Sequence, residues 1–367
     1  MMARLSLLRV GSRQSYKKFI GCKDCSKRAF SCKAVVLPRF GSPDVLQIRS
    51  NETLPDLGST EVLVATKAAA VNPLDARIRE GYGRSLFEPL LPLILGRDVS
   101  GEVVAVGNSV KLLHVGQEVF GALHPTAVRG TYSDYAILQE DQLILKPTSL
   151  THMEAAAIPF AALTAWRALK GTAQIKQSQR VLILGGGGAV GLSAIQLAKA
   201  AGCHVTCTCG KRSMDRAAEA GAELTIDYTS ENLRDKLGGR FDAVLDTIGV
   251  QETEALGVSS LKRGGHYMTL QGEAVNYADR LGLVAGGAAA AAALVKKQVQ
   301  YKQAYGIEYM WTIMRTDAEA LQDIGLLVRN GQLKVPVGNT FSLWKAADAH
   351  HCLEKKQSHG KIILYLD

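Results

Sequence analysis

Val181-Leu-Ile-Leu-Gly-Gly-Gly-Gly-Ala-Val-Gly191 runs four apolar residues straight into a glycine cluster. Leu192, Ile195, Leu197 and Ala198 follow at helical spacing, so the segment reads as strand, tight turn and helix. Within it, Gly186-x-Gly188-x-x-Gly191 has the G-x-G-x-x-G spacing. The first glycine permits the turn, and the second lets backbone N–H groups approach a pyrophosphate. The third lets helix and strand pack closely, while the helix N-terminus faces the anion. Gly187, Ala189 and Val190 complete the expected phosphate-binding turn. A turn without a ligand is the alternative, but four consecutive glycines carry a backbone entropy cost that a plain turn does not require.

The residues after the next strand select the nucleotide. NAD sites place Asp or Glu about 20 residues on, at the end of the second strand, against the ribose 2′-OH. Here His204–Cys209 reads as that strand, and Gly210, Lys211, Arg212 and Ser213 follow, with no carboxylate before Asp215. Two cations and a hydroxyl suit a 2′-phosphate, which favours NADPH. The alternative makes Lys211 and Arg212 solvated loop charges and Ser213 a helix cap.

At 367 residues the chain can build two domains with full cores. A hydrophobic content of 47% and a charged content of 21% are those of an ordinary globular protein. The net charge of +9 is concentrated at one end. Residues 1–30 carry eight cations against the single acid Asp24, a net +7, which leaves 35 cations and 33 acids, or +2, for the rest. The body therefore offers no electrostatic case for nucleic acid. The leader is Arg-rich, nearly acid-free and without a long apolar run, which reads as a targeting peptide and neither a secretory signal nor a membrane span. Arg28-Ala29-Phe30-Ser31 resembles a plant mitochondrial processing site, so residues 1–30 are expected to direct import to the mitochondrial matrix, with a plastid as the alternative. Cys22 and Cys25 have the spacing of a redox or zinc pair but sit in this leader; Cys203, Cys207, Cys209 and Cys352 show no metal spacing. A reducing compartment and no disulfide framework follow.

Short apolar runs at Lys33–Leu37, Glu61–Val71, Gly101–Val106, Glu118–Phe120 and Tyr132–Leu138, punctuated by Gly, Pro and Asp, predict a β-rich first half. Thr151–Leu169 has a helical period. From Arg180 the pattern alternates strand and helix: Val181–Leu184, Leu192–Ala201, His204–Cys209, Met214–Ala220, Leu224–Ile226, Phe241–Asp246 and His266–Thr269. That is a doubly wound parallel sheet, and the fold class is α/β. Leu343–Lys355 and then Lys361–Leu366 read as helix and strand. The Ala- and Gly-rich Leu281–Val295 is too short to span a bilayer and reads as a buried helix or helix–loop; lining an apolar entrance together with Tyr301–Met314 is the alternative.

Several stretches carry a family resemblance: Ala70-Val-Asn72-Pro-Leu-Asp75, Gly96-Arg-Asp98-Val-Ser-Gly101, Pro159-Phe-Ala-Ala-Leu-Thr-Ala-Trp166, the glycine turn, Phe241–Gly249 and Gly360-Lys-Ile-Ile-Leu364. In order and spacing the chain resembles the medium-chain dehydrogenase/reductases of the quinone-oxidoreductase (zeta-crystallin-like) branch. Leu95–Gly101, Lys146–His152 and Ile226–Ser230 most resemble the mitochondrial reticulon-interacting oxidoreductases. The resemblance implies a GroES-like catalytic domain, residues 31–160 completed by 310–367, and an inserted NADP-binding Rossmann domain, 161–309, with the active site between them. It implies a matrix NADPH enzyme connected with ubiquinone biosynthesis. It also adds Thr164, Tyr228 and Thr247, inside the matching stretches, to the expected cofactor contacts.

Zinc-dependent relatives have Cys near Asn72 and His-Glu at Arg97-Asp98. An amide and a guanidinium stand there instead, and Arg97 cannot ligate a metal, so no zinc is expected. The chemistry then rests on cofactor hydride, positioning and hydrogen bonding, which suits an apolar quinone or an α,β-unsaturated carbonyl. Asn72, Arg97 and Tyr82 are the expected donors to the developing oxyanion, and Asp75 is expected to orient its neighbours. Alternatively Asn72 is a turn-former before Pro73, and Arg97 and Asp98 belong to an intradomain ion pair. Many relatives read R-x-G-x-Y; here Arg79-Glu-Gly-Tyr82 places the tyrosine one position early, which leaves its reach open. A homodimer and peripheral membrane contact complete the expectations. Two further readings compete, a mitochondrial enoyl-thioester reductase and a non-catalytic NADPH-binding scaffold.

Overall fold

The structure, a computed structural model, describes residues 30–229, 232–237 and 241–367. The expected targeting segment, all but Phe30, therefore lies outside the described residues, as do Cys22 and Cys25.

The first half is β-rich. Strands β1 (Phe30–Leu37), β2 (Gln47–Leu54) and β4 (Leu93–Ile94) form a three-stranded antiparallel sheet. A larger sheet contains β3 (Glu61–Val71), β5 (Asp98–Val106), β6 (Glu118–Ala122), β7 (Tyr135–Gln139) and β8 (Leu143–Leu145). Its order continues to the end of the chain, because β15 (Val337–Ser342) and β16 (Lys361–Tyr365) join it beside β3.

The second sheet is built from β9 (Arg180–Leu184), β10 (His204–Cys209), β11 (Leu224–Asp227), β12 (Phe241–Asp246), β13 (Leu261–Thr269) and β14 (Glu308–Trp311). All its pairings are parallel and its order is β11-β10-β9-β12-β13-β14. This is the Rossmann strand order, in which the chain reverses between the first and fourth strands of the sheet. A parallel sheet covered by helices on both faces is dry on both faces, which is why Val181, Leu182, Ile183 and Leu184 are all buried.

Three predicted elements differ from what forms. The helical stretch 151–169 is two helices, His152–Ala156 and Pro159–Trp166, followed by a π-type turn, Arg167–Thr172. Pro159 has no N–H to continue the first helix and instead starts the second at its first position. The strand expected at 132–138 begins only at Tyr135. Leu281–Val295 lies in a 23-residue helix, Leu283–Tyr305, of which only Gly286 and Ala290 are buried, so the expected burial does not occur. Gly282, at φ +81°, joins it to the helix Ala274–Leu281. A Cβ on Gly286 would lie 2.4 Å from the Ala278 backbone, so close approach of these two helices selects glycine there. Among the described residues, no helix is long and apolar enough to cross a membrane.

Candidate active site

Between β9 and β12 the sheet changes direction, and the crevice beyond the strands' C-terminal ends is where open parallel sheets take ligands. Gly185 leaves β9 at φ +90°, a left-handed conformation that only glycine adopts freely. The turn residue is thus one position before the glycine to which the spacing assigned it. Gly186 is required by crowding: its Cβ would lie 2.8 Å from Cys207 on β10. A Cβ on Gly191 would lie 2.3 Å from the Gly185 carbonyl oxygen, which fixes the close helix–strand approach. A Cβ on Gly187 would meet Ser213 at 2.6 Å. Gly188 differs from these. It is exposed, and the nearest atom to its Cβ position is the Gly185 oxygen at 3.9 Å. The helix Ala189–Ala200 begins there, so Gly188, Ala189 and Val190 offer an open cradle of first-turn N–H groups.

Lys211 and Arg212 are exposed in the turn after β10, and Ser213 covers Gly187. Sequence reasoning missed Arg216. Its guanidinium donates to Ser213 Oγ at 3.3 Å and reaches the His359 carbonyl of the C-terminal segment at 2.5 Å. A signal exists, since Arg216 lies one helical turn from Arg212 on the same face. Tyr228 is 58% exposed with its ring 3.7 Å from the Cβ position of Gly210. Thr247 Oγ1 donates to the Leu184 carbonyl at 2.9 Å and packs against Gly185. Thr164 donates to the Phe160 carbonyl at 2.6 Å within its own helix and is buried. The glycine turn, the cationic turn, Tyr228 and Thr247 therefore gather at one edge of the sheet; Thr164 sits on the neighbouring helix Pro159–Trp166.

The expected catalytic residues fall into a buried polar network in the other domain. Asn72 caps the helix Pro73–Glu80, and its own N–H donates to Asp75 Oδ2 at 2.8 Å. Asp75 Oδ1 accepts from Gly96 N at 3.0 Å, and Arg97 Nη1 stands 3.9 Å away. Arg97 spends its guanidinium on the Pro125 carbonyl, at 3.0 and 3.1 Å, and on the Gly96 carbonyl at 2.9 Å. Arg97 and Asp75 are both fully buried. Both hold the loop beneath the cleft: Asp75 orients Asn72 and Gly96, and the Arg97 guanidinium, expected as an oxyanion donor, is engaged by backbone carbonyls. Asp98 pairs not with Arg97 but with Lys361, at 3.5 Å, and Asn72 donates to it at 2.8 Å. Burial pushes the Asp75 and Asp98 carboxyls up, opposed by the Arg97 and Lys361 cations respectively. Lys361 was not among the expected site residues, although it stands in the quoted Gly360–Leu364 stretch.

Tyr82 lies at the seam between the domains. Arg77 stacks on its ring at 3.9 Å and donates to Gln271 of the cofactor domain at 2.7 Å. Asp279 accepts from Gly83 N and Ser85 N at 2.9 Å each, so the helix Ala274–Leu281 caps the short helix Arg84–Phe87 across the seam. Burial raises the Tyr82 phenol, keeping it a neutral donor. Of the apolar residues nearby, Phe87 and Ile94 are core, Leu86 and Leu91 are half-buried against it, and Leu90 is exposed.

Residues 58–148 match the family described as alcohol dehydrogenase GroES-like domain, and residues 220–364 the family described as zinc-binding dehydrogenase. Over 93% of its length the chain is 34% identical to the mitochondrial NAD(P)H oxidoreductase RTN4IP1 of Danio rerio, covering 95% of that protein. The chain belongs to the medium-chain dehydrogenase/reductase family. Like these relatives it is an oxidoreductase. It is also 32% identical, over 89% of its length and 77% of the relative's, to a 2-methylene-furan-3-one reductase of Solanum lycopersicum. The quinone oxidoreductase of Coxiella burnetii superposes with a TM-score of 0.78 at 28% identity, covering 92% of this chain and 100% of that one. The Escherichia coli quinone oxidoreductase, solved with NADPH, superposes at 0.73 and 27% identity over 92% and 99% of the two chains.

The second family's description raises zinc. The donors do not fit it: the Asn72 amide oxygen accepts from the Lys361 ammonium, and Arg97 is a cation without a lone pair to give. Among the described residues, no three or more His, Cys, Asp or Glu side chains gather as a metal site. The five thiols there, Cys32, Cys203, Cys207, Cys209 and Cys352, are free and buried, and burial pushes Cys207 up to about 12.

Proposed function

We propose that this chain is a zinc-independent, NADPH-dependent reductase of an apolar quinone or α,β-unsaturated carbonyl, working in the mitochondrion. The observation that carries the reading is the glycine cradle beside a cationic turn. Gly188 leaves open space over first-turn N–H groups, and Lys211, Arg212, Ser213 and Arg216 line the end of β10, where an NAD site would hold a carboxylate. The residues present fit NADPH: Gly188, Ala189 and Val190 would hold the pyrophosphate and the cationic turn would hold the 2′-phosphate.

When bound, the cofactor supplies a hydride equivalent. The chain's own residues do the rest. Tyr82, a neutral phenol at the seam, and Asn72, at the start of its helix, are the donors left to an oxyanion. Asp75 and Arg97 hold the loop that carries Asn72. The half-buried Leu86 and Leu91 supply an apolar wall, which suits a hydrophobic acceptor. The enone reductase among the relatives and the quinone oxidoreductase fold both support this substrate class.

Titration of purified protein with NADPH and NADH tests the cofactor half. NADPH should bind more tightly, and removing a charge-assisted hydrogen bond to the 2′-phosphate, by Lys211→Ala or Arg212→Ala, should cost about 1.5–3 kcal/mol. Equal affinity for the two nucleotides refutes it. A panel of quinones and enones tests the rest. NADPH binding with no turnover of any of them points instead to the scaffold reading. Metabolite profiling of a knockout then asks whether quinone precursors or acyl chains accumulate, which tests the ubiquinone connection against the enoyl-thioester reading.

A further inference from the structure

Lys361 is a buried cation with an unusual set of partners. Only 6% of it is exposed, and its ammonium contacts Asn72 Oδ1 and Asp98 Oδ2. The strand register sets it there: Ile362 pairs with Val71, so the preceding residue, Lys361, falls beside Asn72 at the exit of β3. Asp98 uses both oxygens. Oδ2 accepts from Asn72 Nδ2 at 2.8 Å, and Oδ1 accepts from the Phe160 backbone N–H at 2.7 Å. Phe160 lies in the first turn of the helix that carries Thr164. A single ammonium thus ties together the exit of β3, the start of β5, the start of β16 and the helix Pro159–Trp166.

Stability does not explain this lysine. Desolvating an ion pair largely cancels its Coulomb gain, and apolar groups of the same volume often serve as well or better. Strand β16 is already held to β3 by a backbone ladder and by buried Ile362, Ile363 and Leu364. The lysine adds direction. With an ammonium on one side and a carboxylate on the other, the Asn72 amide has one permitted orientation, its oxygen toward Lys361 and its nitrogen toward Asp98. One Nδ2–H is then left over from the network.

We infer that Lys361 is a positioning residue: it fixes the Asn72 amide and, through Asp98, the helix start at Phe160, so that the acceptor side and the cofactor side of the cleft keep one alignment. This rests on the reductase reading above. Lys361 spends its ammonium on Asn72 and Asp98, so its effect belongs in the geometry of hydride transfer and not in cofactor affinity.

The test compares wild type with Lys361→Met, Lys361→Arg and the charge-neutral double variant Lys361→Met/Asp98→Asn. NADPH affinity is measured by fluorescence, and kcat and KM with a water-soluble benzoquinone and with trans-2-hexenal. Amide hydrogen exchange at Phe160 is followed in the cofactor-free protein. Lys361→Met should bind NADPH within about threefold of wild type, while kcat falls roughly a hundredfold, the scale expected for misplacement of about 1 Å. Phe160 protection should drop, and Lys361→Arg, which can still donate to both partners, should recover part of kcat. The double variant should regain thermal stability without regaining kcat. If Lys361→Met does not fold, the double and Arg variants carry the comparison. Recovery of kcat together with stability in the double variant makes the lysine merely structural and overturns the inference, as does an unchanged kcat in Lys361→Met. If wild type binds NADPH but reduces neither acceptor nor any of the wider panel, the reductase reading itself falls, an outcome seen before any variant is compared.

Discussion

His350 makes the catalytic domain acid-sensitive in a way that can be calculated. The ring is fully buried in the helix Ala346–Glu354, with Nδ1 accepting from Arg79 Nε at 3.3 Å and Nε2 facing the Tyr132 hydroxyl at 3.3 Å. Burial, and then the Arg79 cation, hold its pKa down to about 3. In the unfolded chain it titrates near ~6.5. Above that pH the residue is neutral in both states and adds no pH dependence. Below it the unfolded chain takes up a proton that the native chain refuses, so native stability falls as pH falls. The slope is about 1.4 kcal/mol per pH unit, continuing until the folded pKa is reached. Between pH 6.5 and 5 this is roughly 2 kcal/mol, a large share of a typical net stability. His350→Gln offers Arg79 an acceptor but does not titrate. It should be the less stable protein at pH 7.5, since the ring's fit is lost. The gap to wild type should shrink by about 2 kcal/mol, or reverse, by pH 5. Urea unfolding of both proteins in matched buffers from pH 7.5 to 5 measures the difference and cancels the carboxylates common to both. A gap that stays constant over that range refutes the account.

Three other outcomes follow from the geometry. Gly191→Ala puts a methyl 2.3 Å from the Gly185 carbonyl, where backbone cannot yield cheaply, so NADPH affinity should fall at least tenfold and stability by about 1–3 kcal/mol; wild-type affinity in the titration would show the turn to be looser than described. Asp279→Ala removes the acceptor of Gly83 N and Ser85 N across the seam, and should raise KM for the acceptor and speed proteolysis near residue 84, with NADPH binding little changed. In a quinone series differing only in alkyl tail, kcat/KM should rise with length, each buried CH₂ adding up to about 0.8 kcal/mol, and a flat trend would return attention to small polar carbonyls.

Much of the fold is legible in the sequence because the cofactor half uses two strong local signals. Alternating strand and helix periods place β9, β10 and β12 within a residue or so, and the glycine spacing places the ligand edge. The catalytic half is harder, since short antiparallel strands are set by long-range pairing. Nothing local tells that Thr131–Ser133 runs outside β7 or that β16 lies between β15 and β3. The catalytic residues illustrate a second limit. Asn72, Asp75 and Arg97 are legible as a cluster, but a residue type that can donate to an oxyanion can equally brace a loop. Burial does not separate the two, since Asn72 is as buried as Asp75 and Arg97; bonding does, because Arg97 gives its guanidinium to backbone carbonyls whereas the Asn72 amide nitrogen has a second hydrogen beyond the one donated to Asp98. Lys361 escapes because it acts far from its sequence neighbours, brought to Asn72 by the register of β16; Arg216 does carry a local signal, one helical turn from Arg212 and three residues from Ser213.

Placing the last strand inside the catalytic sheet, between β15 and β3, has a consequence for the order of folding. β16 pairs with β3 across almost 300 residues of chain, so a growing polypeptide cannot complete that sheet until Leu364 has been made. The inserted parallel sheet is contiguous, from Arg180 to Trp311, and can close first. Loop-closure entropy delays the long-range pairing further. The first half therefore spends synthesis with the β3 edge that receives β16 unpaired, the kind of exposed edge that chaperones cover.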